Sequence, residues 1–126
     1  MIDHVSIGVR DIGRAKRFYD AALTPLGYQC LSQGEGSLGY GGGIVAFWIS
    51  TAKHPVTPEM ESGLHFCFSA PTRESVDAFH RAALGAGGRD NGVPGLRANY
   101  GPTYYAAFVT DPDGYRIEAH CALSAR

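Results

Sequence analysis

The chain has 126 residues, 44% of them hydrophobic, and its eleven basic and twelve acidic side chains leave a net charge of −1. That is the length of one domain with enough apolar material for an interior, which excludes an unstructured tail. No block of like charge could track a phosphate backbone, and the apolar run Ile44 to Ile49 is far too short for a membrane span, so neither nucleic acid nor membrane is an expected partner.

From Asp3 to Val9, Val5, Ile7 and Val9 alternate with His4, Ser6 and Gly8, the period of a strand with one apolar and one small polar face. Asp11 is an N-cap residue type. After it Ile12, Ala15, Phe18, Tyr19, Ala22 and Leu23 recur at helical spacing until Pro25 and Gly27 stop the run. Tyr28 to Leu31, Ser37 to Tyr40 and Ile44 to Ser50 then read as three strands separated by glycine-rich turns, and 53–62 reads as a linker. A second strand-then-helix pair follows. Leu64 to Ala70 is the strand, and the helix runs from about Thr72 with Val76, Phe79, Ala83 and Leu84 inward, ended by Gly85 to Gly88. Asp90 to Gly101 is expected as a loop, Tyr104 to Thr110 and Tyr115 to Cys121 as strands, and Asp111-Pro112-Asp113-Gly114 as the turn between them.

The two halves are copies. A shift of 61 positions carries His4-Val5-Ser6-Ile7-Gly8 onto His65-Phe66-Cys67-Phe68-Ser69, Asp11 onto Thr72, Phe18 onto Phe79 and Gly27 onto Gly88. A long period occurring twice indicates a duplicated supersecondary unit rather than a solenoid. Three cysteines without a CxxC pair fit reduced thiols, with Cys67 and Cys121 expected as packing residues, and cytoplasmic residence is the expectation because Asp3 and His4 interrupt any signal-like start.

Alternation puts His4, Ser6 and Gly8 opposite the residues that pack under the first helix, and does the same for His65, Cys67 and Ser69. In the last strand Tyr115, Ile117 and Ala119 form the apolar row, so Arg116, Glu118 and His120 look the other way. If the sheets curve around a common space, His4, His65 and Glu118 converge there. Imidazole and carboxylate are the ligand set of a divalent ion such as Zn, Mn, Fe, Co or Ni, with open positions for substrate. The alternatives are a cup holding no ion and a salt bridge from Glu118 to Arg116 or Arg97. His120 is either a base behind Glu118 or a solvated strand end. Tyr100, Tyr104 and Tyr105 either line a site or pack in the sheet. His54 and His80 are expected at solvent or dimer contacts.

These residues resemble the vicinal oxygen chelate superfamily, which includes glyoxalase I, extradiol dioxygenases, fosfomycin-resistance enzymes and bleomycin-resistance proteins. The resemblance spans the chain. It rests on Asp3-His4-Val5, Phe18-Tyr19 and Leu26-Gly27, on Gly63-Leu64-His65 with Phe79, and on Asp111-Pro112-Asp113-Gly114-Tyr115-Arg116-Ile117-Glu118. It implies an α+β fold over 1–126. Two tandem βαβββ modules, about 1–52 and 63–126, would form a curved, cup-like mixed sheet with helices outside and a metal held by His4, His65 and Glu118. It further implies a small-molecule substrate, a homodimer, and Lewis-acid chemistry of lyase, dioxygenase or thiol-transferase type. Enzymes similar to glyoxalase I carry one more carboxylate in the strand equivalent to that of Glu118, where alternation with Val45, Phe47 and Ile49 leaves Trp48. The remaining His/His/Glu set is similar to that of dioxygenases, which need Fe(II), and of fosfomycin-resistance transferases, which need Mn and a thiol. Glu118 and His120 are the candidate catalytic residues, with Arg97, Tyr100 and Tyr104 as candidates lining the substrate and Trp48 either a stacking surface for it or a plug of the cup. A metal-free sequestering protein like the bleomycin-resistance members is the alternative.

Overall fold

The computed structural model describes residues 1–123. The first module runs β1 (Val5–Val9), α1 (Ile12–Leu23), a 3-10 turn (Thr24–Leu26), β2 (Gln29–Gln33), β3 (Ser37–Gly41) and β4 (Phe47–Thr51). The second repeats the order with β5 (Phe66–Ser69), α2 (Arg73–Gly85), β6 (Arg89–Leu96), β7 (Tyr105–Thr110) and β8 (Arg116–Cys121). Each module is one four-stranded mixed sheet, ordered β1-β4-β3-β2 and β5-β8-β7-β6, so the fold is α+β and duplicated. The first strand of each sheet pairs in parallel with the last, a crossover that the helix between them provides.

The caps follow the repeat. The Asp11 carboxylate accepts the Arg14 amide at 3.0 Å, and the Thr72 hydroxyl accepts the Ser75 amide at 3.0 Å while the Ser75 hydroxyl accepts the Thr72 amide. Each satisfies an amide the helix start leaves unpaired. Phe18, Tyr19, Ala22 and Leu23 of α1 and Val76, Phe79 and Ala83 of α2 are buried in a single core with Ile49, Val109, Ile117 and Ala119. The helices pack on each other as well as on their sheets. Phe47 meets Phe66 and Phe68 with ring centroids 6.1 and 5.3 Å apart, and the Tyr115 hydroxyl donates to the Gly8 carbonyl, so one interior joins the modules.

Three expectations are corrected here. The segment from Asp90, expected as a loop, is mostly β6, an irregular strand on β7 whose register slips around Gly92; exposure along its length removes the alternation that would have betrayed it. Val45 does not share the face of Phe47 and Ile49: the irregular turn 42–46 brings its Cγ1 beside the seat of Trp48 on Gly39. His80 is buried in α2, with its Nε2 2.9 Å from the Asp90 carboxylate, rather than facing solvent.

Candidate metal centre

Register decides which side chains share the open face of each sheet. In the second module Cys67 pairs with Glu118 and Ser69 with His120 across β5 and β8, while Phe108 and Ala106 of β7 pair with Glu118 and His120 from the other side. In the first module Ser6 pairs with Trp48 across β1 and β4. Because Ser6 and Cys67 are 61 positions apart, Trp48 occupies the place that Glu118 holds in the second module. The indole sits on Gly39, where a Cβ would stand 2.8 Å from Trp48 Cζ3 and 2.8 Å from Val45 Cγ1. A methyl there must displace the ring. Gly39→Ala should therefore cost about 1–3 kcal/mol by overpacking and shift the emission of this sole tryptophan, both readable in one denaturant titration followed by fluorescence.

Glu118 is 2% exposed, a carboxylate nearly out of water, and the structure divides its two oxygens between two partners. His65 Nε2 lies 3.0 Å from Oε1, and the Tyr104 hydroxyl donates to Oε2 at 2.6 Å. The Tyr104 ring stacks on His120 with centroids 3.7 Å apart, and Tyr100 lies 5.2 Å from Tyr104 on a tilted plane. His65, Tyr100, Tyr104, Phe108 and Glu118 line an open cavity of about 390 Å³. A separate apolar recess of about 420 Å³ lies between the modules, with Tyr40 and Phe47 from one, Phe66 and Phe68 from the other, and His65 and Cys67 also on its wall.

The electrostatics follow from burial. Loss of water, with the hydrogen bond to Glu118 next and the Glu118 charge after it, raises the Tyr104 phenol, so Tyr104 stays a donor. Loss of water, with the Glu118 charge next, pushes the Cys67 thiol up to about 12. Cys67 was expected as a packing residue; it stands on the open face opposite Glu118 and is exposed as a residue. It is protonated at neutral pH. Its alkylation by iodoacetamide at pH 7.5 should run about three orders of magnitude slower than that of an ordinary thiol, and Glu118→Gln should speed it, as peptide mapping by mass spectrometry would show.

Neither arginine weighed as a partner for Glu118 binds it: Arg97 donates to the carbonyls of Gly95 and Val93 and lies over the Phe108 ring, and Arg116 donates to the carbonyls of Leu64 and Met60. His120 Nε2 is buried without a partner among the described residues. Cys121 is buried as expected. His4 stands just ahead of β1, its side chain 49% exposed and its Nδ1 2.8 Å from Asp3. It does not join His65 and Glu118: among the described residues no three of His, Cys, Asp and Glu are close enough to hold a metal ion. The donors present nevertheless suit one. Imidazole and carboxylate are donor types that divalent ions take, and here they stand 3.0 Å apart, at hydrogen-bond distance. One chain thus brings together two of the three residues of the expected set, His65 from just ahead of β5 and Glu118 from β8. The Tyr104 contact to Glu118 was not legible from spacing, because it comes from outside the strand.

A duplicated α+β fold of two four-stranded mixed sheets, each with its helix, defines a class of proteins built from paired modules. The chain belongs to the Glyoxalase/Bleomycin resistance protein/Dioxygenase superfamily, whose profile matches residues 1–119. A glyoxalase/bleomycin resistance protein from Albidiferax ferrireducens is 34% identical with a TM-score of 0.83, over 94% of this chain and 97% of that one. Two more distant structures share the fold. A glyoxalase/bleomycin resistance protein/dioxygenase family enzyme from Burkholderia phytofirmans is 21% identical at TM-score 0.74, over 97% and 98% of the two chains. The fosfomycin resistance protein FosX from Mesorhizobium loti is 16% identical at TM-score 0.69, over 96% and 91%. No curated protein matches the sequence. No helix among the described residues is long and apolar enough to cross a membrane.

Proposed function

We propose that this chain is a metal-dependent enzyme acting on a small oxygen-bearing substrate, with His65 and Glu118 of one copy and His4 of a second copy as the ligands of a divalent ion. The observation that carries the reading is the buried Glu118 carboxylate set 3.0 Å from an exposed imidazole at the floor of an open cavity. A carboxylate so far from water needs donors or positive charge around it; His65 and Tyr104 supply polar partners, and a cation bound by Glu118 and His65 would supply the charge. When bound, the ion supplies Lewis acidity to an oxygen that becomes anionic during reaction. Tyr100, Tyr104 and Phe108 wall the cavity and favour a flat or apolar substrate. Trp48 in place of an acid favours dioxygenase or transferase chemistry over that of glyoxalase I.

The test is metal content. Protein purified without chelator or affinity tag, and again after reloading with Mn, Fe, Co, Ni and Zn in turn, should hold close to one ion per chain and elute as a dimer. Dimeric protein that holds no ion under any loading would overturn the enzyme reading. The second reading is a metal-free sequestering protein. It is favoured by a specific observation: His65 and Tyr104 already satisfy both Glu118 oxygens within the chain.

A further inference from the structure

We infer that Tyr104 is the residue that positions Glu118, and that His120 serves it as a backing surface. The inference rests on the metal-site reading and reassigns two residues of that site: Tyr104 from lining the substrate, and His120 from acting as a base.

The strands flanking Glu118 bring it little. Its partner on β7 is Phe108, which has no polar atom in its side chain, and its partner on β5 is Cys67, a weak donor. The donor that Oε2 receives comes from Tyr104, one residue ahead of β7. The backbone there is pinned, because the Arg97 amide donates to the Tyr104 carbonyl at 2.8 Å. On the open face the β7 residue opposite His120 is Ala106, whose methyl leaves the imidazole face free. The Tyr104 ring fills that space, stacked at 3.7 Å and 22°, and its length carries the hydroxyl one pleat further, to Glu118. Tyr100 covers it from another side at 5.2 Å. Packed between two rings, Tyr104 has little freedom to release the carboxylate.

His120 contributes its face. Its Nε2 is buried and makes no hydrogen bond among the described residues, while the plane of the ring lies almost flat on Tyr104. The consequence is a division of labour on Glu118: Tyr104 holds Oε2, and Oε1 alone is presented beside His65. The carboxylate is oriented before any ion arrives, so an ion meets a one-oxygen ligand that has little ordering left to lose.

Cobalt(II) reports both affinity and coordination through its visible absorption. In the full-length dimer, Tyr104→Phe keeps the ring, the stack and the volume and removes only the hydroxyl. It should raise the cobalt Kd about 10- to 100-fold and lower the visible extinction, because a freed Glu118 can bind through both oxygens. His120→Phe, which keeps a flat surface, should bind cobalt much as the parent does, and His120→Ala should move toward Tyr104→Phe. A Tyr104→Phe titration and spectrum that superimpose on the parent overturn the inference and leave the metal reading intact. A His120→Phe protein as weak as His120→Ala overturns the backing role, since the ring nitrogen would then be what matters. If the parent binds no cobalt, the positioning role is decided in metal-free protein, and the metal reading is decided separately by the other loadings. There the ¹³C resonance of the Glu118 carboxyl should move between parent and Tyr104→Phe, and coincident resonances overturn the inference.

Discussion

Replacing Glu118 by alanine is expected to weaken divalent-metal binding by about two orders of magnitude or more, from about 3 kcal/mol per ligand when a total of about 10–16 kcal/mol is shared among four donors. Glu118→Gln should lose the ion as well. It keeps an oxygen and a shape that Tyr104 can bond but lacks the charge, so it separates metal affinity from folding. His4→Ala should lose the ion too, although His4 lies outside the His65–Glu118 cluster of its own chain. The informative experiment mixes the two defects. If the site takes His4 from one copy and His65 with Glu118 from the other, a dimer of one His4→Ala chain and one Glu118→Ala chain has one site with both defects and one intact site. Random re-pairing after mild denaturation makes about half the dimers mixed, so about a quarter of all sites should bind cobalt although neither variant binds alone. A mixture as empty as its components would show that the three ligands do not meet across two copies.

The repeat made most of this arrangement legible, because duplication exposes what is common to the halves. Asp11 and Thr72 cap their helices as read, and strict alternation in β8 put Glu118 and His120 on one face. The pairing Ser6↔Trp48 beside Cys67↔Glu118 bears out Trp48 as the broken element of the symmetry. What stayed hidden depends on irregular backbone. β6 carries Gly92, Pro94 and Gly95, is exposed for much of its length and slips register, so no period of two exists to find. Val45 changed face because the turn before β4 interrupts the alternation that was extended through it. The 61-residue shift placed Gly88 opposite Gly27, but Gly27 ends its helix at φ +91° while the corresponding role in the second module falls to Gly87 at φ +99°. Gly88 is needed for a different reason: a Cβ there would stand 2.6 Å from Phe18 Cε1 and 2.8 Å from the Ala83 carbonyl oxygen. Tyr104 was legible as a lining candidate, but its hydrogen bond to Glu118 was not, because it spans two positions along the face and depends on the length of the phenol.

The contact between Phe18 and Gly88 ties a fully buried ring of the first module to the end of the second helix. Phe18 is fully buried in α1, packs edge-on to Tyr19 with centroids 4.8 Å apart, and reaches across the module boundary to the end of α2. Phe18→Ala should cost about 3–5 kcal/mol, a large share of the roughly 5–15 kcal/mol that holds a domain of this size together. The loss will not stay in the first module. Tyr19, the next residue, donates its hydroxyl at 2.5 Å to Asp111, which is 4% exposed and whose carboxyl burial raises above the usual range. Disturbing α1 therefore loosens the β7–β8 turn as well. Urea unfolding should remain one transition, with a lower midpoint and an unchanged slope, and amide exchange should accelerate in β7 and β8 as much as in β1 and β4. Exchange accelerated in the first module alone would mean that the two modules unfold as separate units despite their shared core.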